Sequence, residues 1–475
     1  MTNAALGSSP PCGGLNSTSW TFRRALLAAL AVGILASFTG VFDHSLWTPD
    51  EPRDAEIGRE MLASRDFVVP TLAGEPFLEK PPLYWWVMAG FYRVFGVSDG
   101  VARSASALAG VLTLLLVFDL ARRITNPFSG LMATVVVATM SGFYAECHRV
   151  VVDSWLALFV MLGYWGFVVA VLQRESPKAE NQPAVSPLGI AVMYLAGGLA
   201  FLTKGLVGPG LLAGPVLVAI VLGRQWRFLR SWVHVPGLLV FLALCLMWPA
   251  MLYERGGKGL MDGFVLSNLL HRFSASSDYA GGHRHPFWYY MFAFPAEVLP
   301  WLIAVPAACH WLWKRRAPAE WNRPALLFLA WVFPIGMVML SAAGTKRGLY
   351  LLPLIAPLGS VVGAWIVATM AEGRREKIDR TTQAVMLAVL VAASAGLVIS
   401  SAFAGQITRV FMGHEAAPLL AQVSKARLAL LAVLGACRSA RRSMESASID
   451  ATPRGSDRSS PAWFWRSLYL LFPWC

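Results

Sequence analysis

Apolar runs about twenty residues long recur down this chain, broken by short polar or basic connections. Runs of ~18 or more apolar residues read as membrane-crossing helices, because backbone polar groups in lipid must pair within their own segment. The pattern predicts crossings at 25–42, 101–121, 128–146, 154–173, 186–203, 205–223, 232–252, 287–313, 324–343, 348–370 and 381–403, about eleven in all. The fold class expected is an all-α polytopic membrane protein; the alternating ten-residue strands of a membrane barrel are not seen. One further apolar segment, 82–97, is short and carries Tyr84, Trp85, Trp86, Tyr92 and Arg93, a mixture suited to the membrane interface.

Composition agrees. Of 475 residues, 56% are hydrophobic and 14% charged, with mean hydropathy +0.55. The net charge of +13 would suggest nucleic acid in a soluble protein. Here it reports orientation, since Lys and Arg collect in cytoplasmic loops, and no nucleic-acid partner is expected. Cys12, Cys147, Cys245, Cys309, Cys437 and Cys475 show no CxxC spacing, which argues against a zinc knuckle or disulfide scaffold. Arg23 and Arg24 precede the first apolar run without a small-residue cleavage site after it, so that run reads as a retained helix.

Charge also decides which side each loop faces. The connections at 122–127, 174–185, 224–231, 314–323 and 372–380 hold fifteen Lys and Arg. If these and Arg24 are all cytoplasmic, an even number of crossings separates Arg24 from Arg122, so 82–97 must lie on the outer surface. The same parity puts outside the loop 43–100, the junction at Asp153, the loop 253–286, Lys204 and the link 345–347. Lys204, Lys346 and Arg347 then break the positive-inside bias in very short links. They either hold a bound anion or snorkel to the interface.

The first outer loop holds eight of the twenty-seven acidic residues between positions 50 and 80. Asp50, Glu51 and Pro52 make a helix start, an acidic cap with Pro in the first turn. Ala55, Ile57, Met61 and Leu62 give that helix a partial apolar stripe, so it should lie along the membrane surface. Water-facing acids would account for Glu56 or Glu60, but less well for Asp50, which sits directly after the first crossing. Glu79 and Lys80 precede Pro81 and Pro82, which hold the backbone at a rigid corner. Lys80 is a compact charge suited to phosphate; the plainer alternative is a local ion pair before an interfacial helix.

The run DEPRDAEIGREMLASRDFVVPTLAGEPFLEKPPLYWWVMAGFYRVFG (50–96) looks like the first periplasmic loop of bacterial aminoarabinose transferases, which resemble the wider protein O-mannosyltransferase superfamily. HRVVVDSWLALF (148–159), FLTKGLVGPG (201–210), HRFSASSDYAGGHRHPFWYY (271–290) and SAAGTKRGLYLLPLIAPL (341–358) follow in the family's order, and the likeness covers roughly 20 to 400. It implies the GT-C glycosyltransferase architecture, with interfacial helices in the first periplasmic loop and a multi-pass location in the bacterial inner membrane. It also implies a polyprenyl-phosphate sugar donor, a hexosyl or pentosyl transfer on the periplasmic side, and an acceptor such as lipid A, another glycan or a protein.

Residue by residue, the resemblance assigns Asp50 and Asp153 to essential acidic positions. Arg53, Lys80, Lys204 and Arg272 fall at substrate-binding positions, Lys346 and Arg347 in the matching late link, and Tyr350 at a tyrosine beside the donor. A displaced polyprenyl phosphate needs a carboxylate near the acceptor and cations near the leaving phosphate. Glu79 matches a metal-binding glutamate whose partner is a histidine shortly before an Arg-Phe pair. Here His271 directly precedes Arg272 and Phe273, off the family's spacing, and His283 and His285 are alternatives; the implied ion is zinc or magnesium.

The expected organisation is a cytoplasmic segment 1–24, a transmembrane glycosyltransferase domain 25–403 with outer loops 43–100 and 253–286, and a tail 404–475. That tail departs from the family, and 438–460 is a polar low-complexity run. A lipid or sugar transporter is the competing reading. It would place ionisable groups or broken helices near the bilayer midplane, whereas the charges here cluster on one outer face.

Overall fold

The computed structural model describes residues 21–47, 49–172, 185–265, 285–314, 317–371, 378–386 and 388. Residues 1–371 form one compact unit and 372–475 a second. The elements below belong to the first.

Helix α1 (Phe22–Phe38) buries Ala25, Ala29, Gly33 and Ser37. These small residues recur every fourth position, so one face approaches its neighbours closely. The polar loop then enters α2 (Asp50–Ser64), a hairpin of β1 (Thr71–Leu72) and β2 (Glu75–Pro76), and α3 (Leu83–Phe95). The hairpin turns on Ala73 and Gly74, both at positive φ, and Glu60 ties it down by accepting from Thr71 Oγ1 at 2.6 Å. The stripe read from the sequence is buried: Ala55, Ile57 and Met61 pack with Tyr84, Trp85, Met88 and Tyr92 of α3.

Helix α4 (Asp99–Ile124) is the central post, against which α1, α5 and α7 pack. Ser98 caps its first turn, and Arg122 and Arg123 occupy its last, where cations complement the helix dipole. Next come α5 (Pro127–Ala138), α6 (Ser141–Cys147), α7 (Asp153–Phe167), α8 (Pro187–Lys204), α9 (Val207–Leu222) and α10 (His234–Val265). Helix α10 leaves Val235, Leu239 and Leu246 more than half exposed, as lipid contact requires. The order closes with α11 (Tyr289–Glu297), α12 (Ala304–Trp313), α13 (Arg323–Ala342) and α14 (Leu352–Ala371). Helix α14 meets α5 through Gly363, where a β-carbon would collide with the Ala133 backbone.

The all-α polytopic fold expected from the sequence is present. Among the described residues, six helices can cross a membrane by length and composition, or eight if each bent pair counts as one span. Helices α1, with 17 residues, and α9, with 16, are shorter. The crossing expected at 381–403 lies mostly outside the described residues, so the count of about eleven is not reached among them.

Two expected crossings are not straight. Segment 128–146 bends by 72° between α5 and α6. Met140 is extended there, and Ser141 N donates to Leu299 O at 2.8 Å rather than to its own helix. Segment 287–313 bends by 119°, with Pro295 in α11 and Pro300 just beyond it; neither can donate to a helical carbonyl. Periodicity sees only apolar length, so it joined each pair into one span.

Candidate active site

Asp50 opens α2 and Arg53 stands one turn on, so the two share a face and bond at 2.7 Å. The other Asp50 oxygen pairs with Arg347, 297 residues further along the chain. Arg53 also lies 3.6 Å from Asp54 and over the Phe77 ring, 5.8 Å from its centroid. Asp54 is buried, accepts from Trp85 Nε1 at 3.2 Å, and has Lys80 Nζ at 3.6 Å. Lys80, fixed by Pro81 and Pro82, therefore turns inward to α2. Burial works to raise the Asp50 pKa; Arg347, Arg53 and Lys80 overcome it and hold the carboxyl below its ordinary range. Asp50 thus stays anionic at neutral pH. Its stabilising contribution is present above the unfolded carboxylate pKa and is lost as pH falls through the depressed folded value.

The second cluster forms where two helices end. Asp153 begins α7 and Lys204 closes α8. Their side chains are 8% and 5% exposed and form an ion pair. Gly205, at φ 62°, turns the chain directly after Lys204, which keeps the ammonium at the helix end. Lys204 Nζ also lies 3.8 Å from the centroid of the Tyr350 ring, a cation–π contact. Tyr350 belongs to the turn 348–351 that begins one residue after Arg347. Arg347, paired with Asp50, also feels the charge of Asp153. The link 343–351 therefore joins both clusters, and Asp50, Arg53, Lys80, Asp153, Lys204, Arg347 and Tyr350 come together as one site.

Lys346 does something else. It is 4% exposed and donates to Ala343 O at 2.6 Å and His285 O at 3.0 Å, which closes the end of α13 and fastens the link. Arg272, His271 and His283 lie outside the described residues. Glu79 is half-buried beside Lys80, and His285 stacks on Tyr289 with ring centroids 4.2 Å apart. Among the described residues no group of three or more His, Cys, Asp or Glu could hold a metal ion. They do not by themselves supply a donor set for zinc or magnesium.

Two residues of the site's frame, Asp54 and Arg103, escaped the sequence reading, and a third, Glu51, was read only as part of a helix start. Arg103 is fully buried and grips Glu51 with both arms, Nε to Oε1 at 3.0 Å and Nη2 to Oε2 at 3.1 Å. Glu51 also accepts from Val150 N at 3.0 Å and Trp47 N at 2.7 Å. One carboxylate thereby fixes α2 to α4 and to the short segment that leads into Asp153. The signal was available: an arginine inside the apolar run 101–121 demands a partner.

The chain as a whole resembles known proteins. Residues 79–248 match the family described as dolichyl-phosphate-mannose-protein mannosyltransferase. An undecaprenyl phosphate-alpha-4-amino-4-deoxy-L-arabinose arabinosyl transferase from Serratia proteamaculans is 30% identical over 73% of this chain and 59% of its own length. The corresponding transferase 2 of Sodalis glossinidius is 29% identical over 71% of this chain and 58% of its own. The chain thus spans under two thirds of the length of these curated relatives. The crystal structure of ArnT from Cupriavidus metallidurans bound to undecaprenyl phosphate superposes with a TM-score of 0.65, at 23% identity, covering 85% of this chain and 72% of that one. The protein is therefore a multi-pass membrane protein with the GT-C glycosyltransferase fold. Within that class it is similar to the aminoarabinose transferases and, over residues 79–248, to the protein mannosyltransferase family, the likeness that the sequence motifs implied.

Proposed function

We propose that this protein transfers a sugar from a polyprenyl phosphate to an envelope acceptor of the lipid A type. One observation carries the reading: Asp50, Asp153, Lys80, Lys204 and Arg347, from five separate stretches of the chain, gather two carboxylates among cations. The likeness to undecaprenyl phosphate-aminoarabinose arabinosyl transferases, and the undecaprenyl phosphate bound in ArnT, support that donor. In the reaction an acceptor oxygen bonds to the anomeric carbon as the bond from that carbon to the phosphate oxygen breaks. The polyprenyl phosphate leaves with one more negative charge. Lys80, Lys204 and Arg347 stabilise that charge as it forms. Asp50 or Asp153 orients the acceptor and takes its proton where it is a hydroxyl. No step is assigned to a metal.

The decisive experiment incubates purified protein with undecaprenyl-phosphate sugar and lipid A and reads the product by mass spectrometry; absence of any sugar transfer would overturn the reading. Lys80→Ala should weaken binding and transfer together by ~1–3 kcal/mol for one lost charge-assisted bond. Lys80→Arg should rescue poorly, because a flat fork does not reproduce a point charge beside Asp54. Unchanged donor binding in Lys80→Ala would leave Lys80 as an anchor of α2 only.

The same reading places the site on the periplasmic side of the inner membrane. Charge parity supports this, since the basic connections all fall on the opposite side. A cysteine at Gly74 should react with a reagent that cannot cross the inner membrane, and one at Lys178 should not. The reverse pattern would invert the topology.

A further inference from the structure

The connection between α9 and α10 is held by backbone bonds with a three-residue period. Arg224 N donates to Val221 O, Phe228 N to Gln225 O, Arg230 N to Arg227 O, Ser231 N to Phe228 O and Val235 N to Trp232 O, at 3.0 to 3.3 Å. Phe228–Arg230 is a 3-10 turn. Side chains three apart eclipse one another in such turns, so the segment carries three stripes.

One stripe faces the protein. Phe228 is buried and meets Phe167 and His234 edge-on, with ring centroids 5.6 and 4.6 Å away. His234 Nε2 donates to Phe228 O at 2.7 Å, and its Nδ1 accepts from the Tyr194 hydroxyl of α8 at 3.0 Å. The other two stripes are exposed and differ in chemistry. Trp226, Leu229 and Trp232 form one, each half or more exposed. Arg224, Arg227 and Arg230 form the other. The chain has no Asp or Glu from position 181 to 253, and among the described residues none of the three arginines is in an ion pair.

The positive-inside bias asks only for basic residues somewhere in a cytoplasmic connection. It does not ask for three unpaired arginines on one stripe beside two exposed tryptophans. The apolar stripe also has lipid-facing neighbours on both sides, since Val221 and Leu222 of α9 and Val235 and Leu239 of α10 are more than half exposed. It therefore continues the lipid-facing surface to the membrane boundary. There a guanidinium fork can bond two phosphate oxygens at once, and a tryptophan ring can rest at the headgroup level.

We propose that segment 224–232 is a docking surface for anionic phospholipid headgroups. Arg224, Arg227 and Arg230 take the phosphates, and Trp226, Leu229 and Trp232 enter the acyl boundary. Pinning by Phe228 and His234 sets both stripes before the lipid arrives. The surface lies on the side that charge parity reads as cytoplasmic, and it is independent of the sugar donor.

The test places the purified full chain in nanodiscs of equal parts phosphatidylglycerol and phosphatidylcholine and reads the retained lipids by native mass spectrometry. The wild-type protein should retain phosphatidylglycerol over phosphatidylcholine by about tenfold or more, and Arg224→Gln, Arg227→Gln and Arg230→Gln should each lower that enrichment by roughly fivefold. The same charge change at Arg374, Arg375 and Lys377, in the basic connection 372–380, should lower it much less. Added glycerol phosphate, which has the headgroup chemistry without acyl chains, should not displace the lipid. If the triple variant does not fold, Arg224→Gly, which suits the φ of 50° at that position, should still reduce the enrichment. No enrichment in the wild type, or enrichment that survives the arginine substitutions, overturns the proposal. An equal fall in the control variant reduces the effect to net charge and overturns the docking surface. Displacement by glycerol phosphate overturns the lipid as its occupant.

Discussion

Arg103→Ala should destabilise the protein by ~3–5 kcal/mol, the cost of leaving one member of a buried ion pair alone. Arg103 is fully buried. Besides gripping Glu51 it donates to His44 O at 2.6 Å and Ser45 O at 2.7 Å. Its loss would strand a buried carboxylate and two loop carbonyls together, and would loosen the approach that sets Asp50 at the mouth of the site. Thermal unfolding in detergent, followed by tryptophan fluorescence, gives the measurement. The loss should shrink in acid. Burial works to raise the Glu51 pKa, but the Arg103 bonds and the amides of Trp47 and Val150 hold it below the ordinary value. Its contribution is therefore present above the unfolded pKa and lost as pH falls through the folded one. A variant that unfolds with the wild type at neutral pH would show that this pair does not fasten α2 to α4.

Asp50→Asn and Asp153→Asn should each lower sugar transfer by roughly 100-fold or more, the scale of a lost catalytic carboxylate. The two differ in what else they disturb. Asp50 is partly exposed, with 17% of its side chain accessible, so the near-isosteric Asp50→Asn should cost less stability than the same change at Asp153. Asp153 is buried against Lys204. Asp153→Asn removes the negative charge from beside that buried ammonium, so donor binding should suffer as well. Transfer rate and unfolding temperature measured on the same preparations separate the two effects. Wild-type transfer by both variants would remove the carboxylates from the mechanism.

Much of the site was legible because its parts are local. The DEPR helix start, the Glu-Lys-Pro-Pro corner and the Thr-Lys-Gly helix end each place one charged group by backbone rules that act over a few residues. Lys346 and Arg347 are adjacent and equally basic, and only the fold separates them: one closes a helix end through backbone carbonyls, the other reaches Asp50. Glu51 and Asp54 look like the solvated acids beside them, yet their partners, Arg103 and Lys80, lie 52 and 26 residues away in the chain.

The sequence by itself determined the membrane class, because lipid forces long apolar helices and leaves a one-dimensional record of them. It also determined which short links carry charge where charge is unfavoured. Only the tertiary structure decided that two of those spans bend, since the backbone bond from Ser141 to Leu299 acts between segments and Pro295 and Pro300 act below the resolution of hydropathy. It alone brought Asp50 to Arg347 and Asp153 to Lys204, because ion pairing across 297 and 51 residues depends on how the helices pack and leaves no periodic trace in the chain.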